Sequence, residues 1–249
     1  NAFGANPPTL VFSPARSGRT NTNKHTFNNV KEVPEVVINV VSYEMVEQIS
    51  LASSEYPAGV NEFVKAGFTE QPSEMVRPPR VLQSKVQIEC KVKEVIETGD
   101  LGGAGNLIIC EILLMYIDEQ ILDNEGRIDP HKLDLVGRMG GNYYCRASGD
   151  AIFEVKKPGT KLGIGFDLLP EKVLNSMVLT GNELARLAGE EKLPDDERIA
   201  EIKNDEEFAE WAERLKNDPE SFERQLHLRA KELIASDRIE EAWCILLSN

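Results

Sequence analysis

Two strand-like runs joined by a glycine-rich turn constrain this chain most. Residues 86–93 alternate apolar Val86, Ile88, Cys90 and Val92 with polar Gln87, Glu89, Lys91 and Lys93. A period of two sends alternate side chains to opposite faces of a strand, so one face is expected in a core and the other in water. Residues 107–117 read as a second, more apolar strand, and Gly99, Gly102, Gly103 and Gly105 lie between the two. Glycines that cradle a dinucleotide lead from a strand into a helix. These lead from strand to strand, so they read as a hairpin turn, and a Rossmann-type site is rejected. A half-wet strand beside a long apolar one needs cover, which a second copy of the chain would supply.

The remaining elements follow from local signals. Leu10, Val11 and Phe12 form an apolar run between Pro8 and Pro14 and predict a buried strand over 9–13. A short helix is expected over 24–32. Residues 36–41 are apolar almost throughout and predict a strand buried on both faces. Ser42 is placed to cap a helix over 43–51, with Glu44 in its first turn. Residues 52–80 hold Pro57, Gly59, Gly67, Pro72, Pro78 and Pro79. Such an excursion is either a functional loop or a surface connection. A last strand is expected over 151–155 and irregular chain over 156–182. Helical spacing then takes over: Phe208, Trp211, Ala212 and Leu215; Phe222, Leu226, Ala230 and Leu233 behind an Asp218 cap and Pro219; Ile239, Ala242, Trp243 and Leu246. Trp211 and Trp243 are expected to pack these helices together.

Charge singles out the N-terminal stretch. Residues 1–31 carry Arg16, Arg19, Lys24 and Lys31 and no Asp or Glu, in a chain of net charge −14. A basic, hydroxyl-bearing loop that runs into a helix start presents free N–H groups and the positive end of the helix dipole to an anion. A phosphate is the favoured occupant. The alternative is a solvated loop that happens to lack acids.

Several classes are disfavoured. At 249 residues, 41% hydrophobic and 28% charged, the chain suits one large or two small soluble domains. Its acidity, with 21 Asp/Glu against 11 Lys/Arg in residues 167–249, repels nucleic acid and anionic membrane, so neither is expected as a partner. Cys90, Cys110, Cys145 and Cys244 make no C-x-x-C pair and read as small apolar side chains, consistent with a cytoplasmic location. The run Asp123, Asn124, Glu125, Gly126 lacks the alternating acids and distal Glu of a calcium loop. His25, His131 and His227 have no metal-ligand spacing, and no metal is expected. The chain begins with Asn, and residues upstream of it are expected to be missing from this sequence.

An ordered set of short motifs adds a family. Asn1, Ala2 and Phe3, then Asn6, Pro7 and Pro8, then Ser13 to Arg16 and Lys24, His25 and Thr26 come first. Tyr56, Pro57, Gly59, Val60, Asn61, Glu62 and Phe63 follow, then Pro78, Pro79 and Arg80, and Gly137, Arg138, Gly140, Gly141 and Tyr143. The set resembles the flavin reductase-like FMN-binding split-barrel family, flavoredoxin type, over about residues 1–165. That resemblance implies a mainly β chain: an antiparallel six-stranded FMN-binding split barrel over 1–165, with an acidic α-helical C-terminal extension over 166–249. It implies FMN at a homodimer interface. Asn1, Ala2 and Phe3 would lie along the isoalloxazine. Ser13, Pro14, Ala15 and Arg16 would sit beside the ring and ribityl chain, and Lys24, His25 and Thr26 would hold the phosphate. Arg138, Gly140 and Tyr143 would reach the site from one subunit or the other. The implied activity is an NAD(P)H-dependent flavin or FMN-linked oxidoreductase; the alternative is an FMN-binding electron-transfer protein without nicotinamide turnover, and an empty structural barrel is a third reading. No catalytic side chain is singled out.

Overall fold

The structure, a computed structural model, describes residues 2–248. It divides into two units between Glu154 and Val155. In the first unit β1 (Ala2–Ala5) and β2 (Pro8–Phe12) precede helix α1 (His25–Glu32) and β3 (Glu35–Asn39). Then come α2 (Val46–Ala52), α3 (Glu62–Ala66), and the short strands β4 (Glu70–Gln71) and β5 (Arg80–Val81). The expected hairpin is β6 (Val86–Glu97) and β7 (Asn106–Ile117). Helix α4 (Pro130–Leu133) and the hairpin β8 (Val136–Gly140) and β9 (Tyr143–Arg146) complete the unit.

The main sheet is antiparallel, in the order β1-β2-β7-β6-β3. The long hairpin is therefore its centre, flanked by β2 against β7 and β3 against β6. Phe27 and Val30, one turn apart on α1, pack with Val36, Ile88, Cys90, Val92, Ile108 and Cys110 to form the core on one face.

Four expectations are corrected here. Among the described residues no sheet closes on itself: β4 pairs with β5 and β8 with β9, each as a separate two-stranded ladder, so an open five-stranded sheet replaces the six-stranded barrel. The described residues are 36% helix and 22% strand, so they are not mainly β. Residues 151–155 form no strand; a single 3₁₀ turn at Gly149–Ala151 leads into irregular chain. The polar face of β6 is wet only in its second half: Lys91 and Lys93 are exposed, whereas Gln87 and Glu89 are buried beneath residues 72–84. Glu89 accepts the Glu74 N–H at 3.0 Å and the Met75 N–H at 2.6 Å, and the Arg80 guanidinium stands 3.7 Å away. Arg80 also donates to Gln87 and to the Pro72 carbonyl, and lies 3.5 Å over the Tyr116 ring.

Two strands are less buried than their apolarity suggests. β3 is an edge strand with Val36 alone buried, and β2 is half-buried. Residues 43–52 start as a 3₁₀ turn, and Ser42 gives no side-chain cap; the Tyr43 N–H instead meets the Asp134 carbonyl at 2.9 Å.

The second unit is helical: α5 (Glu171–Leu174), α6 (Gly181–Ala188), α7 (Asp196–Lys203), α8 (Glu206–Arg214), α9 (Pro219–Ala235) and α10 (Ile239–Leu246). Thr180 and Glu183 form a capping box on α6, and Asp218 caps α9 ahead of Pro219. Leu187, Leu226, Ala230, Ile234, Ala242 and Trp243 centre the core. Trp243 joins α10 to α6 through its indole N–H, which donates to the Leu187 carbonyl at 3.1 Å; Trp211 is buried on α8. Residues 155–165 belong to this unit, ahead of the boundary expected at 165/166. The Ile164 N–H bonds to Glu190 O, the Gly165 N–H to Ala188 O, and Lys156 pairs with Asp237. Among the described residues no helix is long and apolar enough to cross a membrane.

Candidate functional site

The basic loop is built by the turn of the central hairpin. Beyond β2, the Ser13 hydroxyl accepts the Asn106 N–H at 3.1 Å and the Pro14 carbonyl accepts the Asn106 carboxamide at 2.9 Å. The Arg16 N–H donates to Ala104 O at 2.9 Å, and the Gly103 N–H returns to Arg16 O at 3.1 Å. The Asn21 carboxamide donates to Asp100 O at 3.0 Å. Gly102 permits this approach, since a Cβ there would lie 3.1 Å from Ser17 O and 3.3 Å from Gly18 O. The glycines read from sequence as a turn thus brace the loop that follows β2. Asn106 is fully buried, and its side-chain oxygen has no hydrogen-bond partner.

Four cations of this stretch do different work. The Arg16 guanidinium donates to Asn21 Oδ1 and Asn23 Oδ1, each at 2.8 Å, and to Asn21 O at 2.6 Å. It closes the loop on itself and helps hold Asn21 at a positive φ of 55°. Lys31 is drawn to Glu97 at 2.6 Å and lies over the Phe27 ring, at the far end of α1. Lys24 and Arg19 converge on one carboxylate: Lys24 Nζ is 2.8 Å from Glu55 Oε1, and Arg19 is 2.7 Å from Glu55 Oε2. The hydrogen bond from Lys24, then that from Arg19, holds the Glu55 carboxyl below its ordinary value.

Lys24 is also the N-cap of α1. It has no side-chain cap bond, and no acid stands in the first turn. The Phe27 N–H turns back to Lys24 O, while His25 and Thr26 are exposed. A helix start without its own cap or acid, flanked by cations that already hold an oxyanion, has the donor set of an anion site.

Of the residues predicted from sequence, Ser13, Pro14, Ala15 and Arg16 lie on the braced loop and Lys24, His25 and Thr26 at its exit. Ala2 and Phe3 lie on β1, an edge strand exposed along its length, with the Phe3 ring 68% exposed. Asn1 lies outside the described residues. Arg138 lines a second concavity of about 440 Å³ between α2 and the β8–β9 hairpin, with Tyr43, Ser50, Ser53, Tyr144 and Arg146. Arg146 is fixed there by Asp134 at 2.7 Å and lies 3.9 Å over the Tyr43 ring. Gly140 holds a φ of 100° at the hairpin tip, where Tyr143 is exposed. None of residues 13–26 lines that concavity. Sequence reasoning missed Glu55 and Asn106.

Two other pairings have no nucleophilic chemistry. Burial pushes the Cys90 thiol up to about 12 and Cys110 to about 11, so both are inert. Ser176 Oγ lies 2.7 Å from His227 Nδ1, but it accepts the N–H groups of Val178 and Leu179. With its lone pairs engaged, it is a turn residue.

Residues 1–132 match the family described as "Flavin reductase like domain". An uncharacterized protein of Aquifex aeolicus is 36% identical over 155 residues, which is 62% of this chain and 76% of that protein. Among solved structures, nitrilotriacetate monooxygenase component B from Bacillus cereus is 25% identical, covers 62% of this chain and 75% of its own, and gives a TM-score of 0.57. The 2-nitrobenzoate 2-nitroreductase of Pseudomonas fluorescens is 27% identical over 63% of this chain and 73% of its own, with a TM-score of 0.52.

Proposed function

From the premise that this chain belongs to the flavin reductase-like domain family, we propose that it is an FMN-binding flavoprotein acting as an NAD(P)H-dependent flavin or FMN-linked oxidoreductase. One observation carries the phosphate half of that reading. The α1 start has neither cap nor acid, and Arg19 and Lys24 beside it already hold the two oxygens of a carboxylate, a stand-in for phosphate oxygens. Lys24 contributes charge, Thr26 a hydroxyl and the α1 start its N–H groups. The exposed apolar edge at Ala2 and Phe3 suits the face of a flat ring, and Ser13 to Arg16 stand beside the ring and ribityl chain. Arg16 serves there through backbone groups, since its guanidinium is committed to Asn21 and Asn23.

FMN, when bound, would supply hydride acceptance from a reduced nicotinamide and onward electron transfer; the chain supplies position and electrostatics. No proton-transferring side chain is assigned. The protein acts as a homodimer in the cytoplasm. Support for the dimer comes from β7, where Leu107, Leu113, Met115 and Ile117 are more than a third exposed on a central strand.

Titration with FMN, FAD and riboflavin tests the phosphate site, and equal affinity for FMN and riboflavin refutes it. Stopped-flow mixing of the FMN complex with NADH or NADPH then separates the two activities. Bleaching within seconds supports the reductase; no bleaching by either leaves an electron-transfer flavoprotein.

A further inference from the structure

The segment between α2 and α3 crosses to the basic loop through one side chain. Ser53 closes α2, with its N–H on Ile49 O at 3.1 Å, and Asn61 opens α3 by accepting the Phe63 N–H at 2.9 Å. Between these anchors residues 54–60 form no helix or strand. Glu55 alone in this strap makes ion pairs, one oxygen to Lys24 and the other to Arg19. We propose that Glu55 is an internal competitor for the flavin phosphate, and so sets how strongly the chain prefers FMN to riboflavin. The inference rests on the phosphate reading above and adds a regulator to that site.

The charges decide the direction. Arg19 and Lys24 alone present two positive charges to an incoming phosphate. With Glu55 between them the pair is half neutralised, and a phosphate of charge about −1.5 to −2 meets a like charge at contact distance. Either the carboxylate leaves with its strap or the phosphate binds against it, and both weaken FMN. The contact does not block entry, because all three side chains are solvent-exposed and exposed ion pairs are weak. Riboflavin has no phosphate and does not compete with Glu55.

Glu55→Gln keeps the shape and removes the charge. Its dissociation constant for FMN should fall roughly two- to fivefold, the scale of exposed ion pairs. Riboflavin affinity should not move, which also shows that the variant is folded. The gain should shrink in about 0.5 M NaCl, where the screening length is only a few ångströms. Lys24→Ala should cost more FMN affinity in the Glu55→Gln background than in the wild type, since Lys24 is then free to serve the phosphate. If Glu55 instead orients the two cations for the ligand, Glu55→Gln weakens FMN, and that sign overturns the proposal, as does unchanged FMN affinity. In both cases Lys24→Ala still weakens FMN and the phosphate site stands. If Lys24→Ala leaves FMN unchanged and FMN binds no better than riboflavin, the phosphate reading fails and the competitor fails with it.

Discussion

Replacing Glu89 by Gln tests whether a buried carboxylate pins residues 72–81 over β6. The wild-type carboxylate is fully buried, bonded by the Glu74 and Met75 N–H groups, and faces Arg80. Hydrogen bonds to a charged group contribute about 1.5–3 kcal/mol each, against roughly 0.5–1.5 for neutral ones. The amide keeps one acceptor oxygen and turns its NH₂ toward a backbone donor, so one bond weakens and the other is lost. It also leaves Arg80 buried without a counter-charge, and breaking one side of a buried pair costs about 3–5 kcal/mol. A loss of roughly 3–5 kcal/mol in the first unit is expected. Both tryptophans lie in the second unit, so fluorescence is blind to this loss. Urea-dependent labelling of the buried Cys90 and Cys110 thiols, resolved by peptide mass spectrometry, reads it directly. The pH dependence has a fixed sign. Burial, the largest single influence, would raise the Glu89 carboxyl, but the N–H bonds from Glu74 and Met75, with Tyr116 and the Arg80 charge, together outweigh it and the net shift is downward from 4.5. Its contribution is fully present above that ordinary value and is lost as pH falls through the lower folded one. The gap between wild type and variant should therefore narrow below pH 4.5. A midpoint shift worth less than about 1 kcal/mol at pH 7, within the range of an ordinary surface change plus error, refutes the pinning role.

Other perturbations separate the site from its scaffold. Thr26→Val and Lys24→Ala should each weaken FMN about tenfold, the equivalent of one hydrogen bond, and leave riboflavin nearly unchanged; Lys31→Ala, whose ammonium is committed to Glu97, should be silent. Gly102→Val should push back Ser17 and Gly18 and weaken FMN while Cys90 and Cys110 stay protected, as titration and thiol labelling of the same sample will show. Trp243→Phe removes the bond to Leu187 O and part of a buried ring. It should cost roughly 2–4 kcal/mol in urea unfolding followed by Trp211 emission.

The frame of the fold was legible where pattern and burial agree. Period-two alternation over 86–93 and the apolar run over 107–117 marked the hairpin, and Asp218 with Pro219 marked a helix start. The misreading of Gln87 and Glu89 on the β6 polar face, where Lys91 and Lys93 are exposed as expected, has a definite cause. Alternation reports polarity, and polarity ordinarily means water. Here Glu89 accepts backbone N–H groups of Glu74 and Met75, and Gln87 accepts from Arg80 and donates to the Val81 and Ser84 carbonyls, so a segment with almost no periodic signal satisfies both in the interior. The two units divide at Glu154/Val155, ahead of the change in composition near 165, and the backbone bonds of Ile164 to Glu190 and of Gly165 to Ala188 within the second unit leave no mark on side-chain pattern.

The candidate site was legible as a charge pattern and illegible as a network. The absence of acids in residues 1–31 singled out a stretch with four cations, Arg16, Arg19, Lys24 and Lys31, but not what each of them faces. The fold makes them unequal. Arg16 is spent on Asn21 and Asn23, Lys31 faces Glu97, and Lys24 and Arg19 share a carboxylate that lies 31 and 36 positions away from them in the chain. Local sequence carries the cations but not the acid that tunes them, because Glu55 is brought in by a tertiary contact. A basic stretch therefore identifies where an anion can be held, while its strength is set by which cations the fold leaves free. By that measure the proposed anion site is Arg19, Lys24 and the start of α1, and Glu55 is the acidic side chain that pairs with both of its cations.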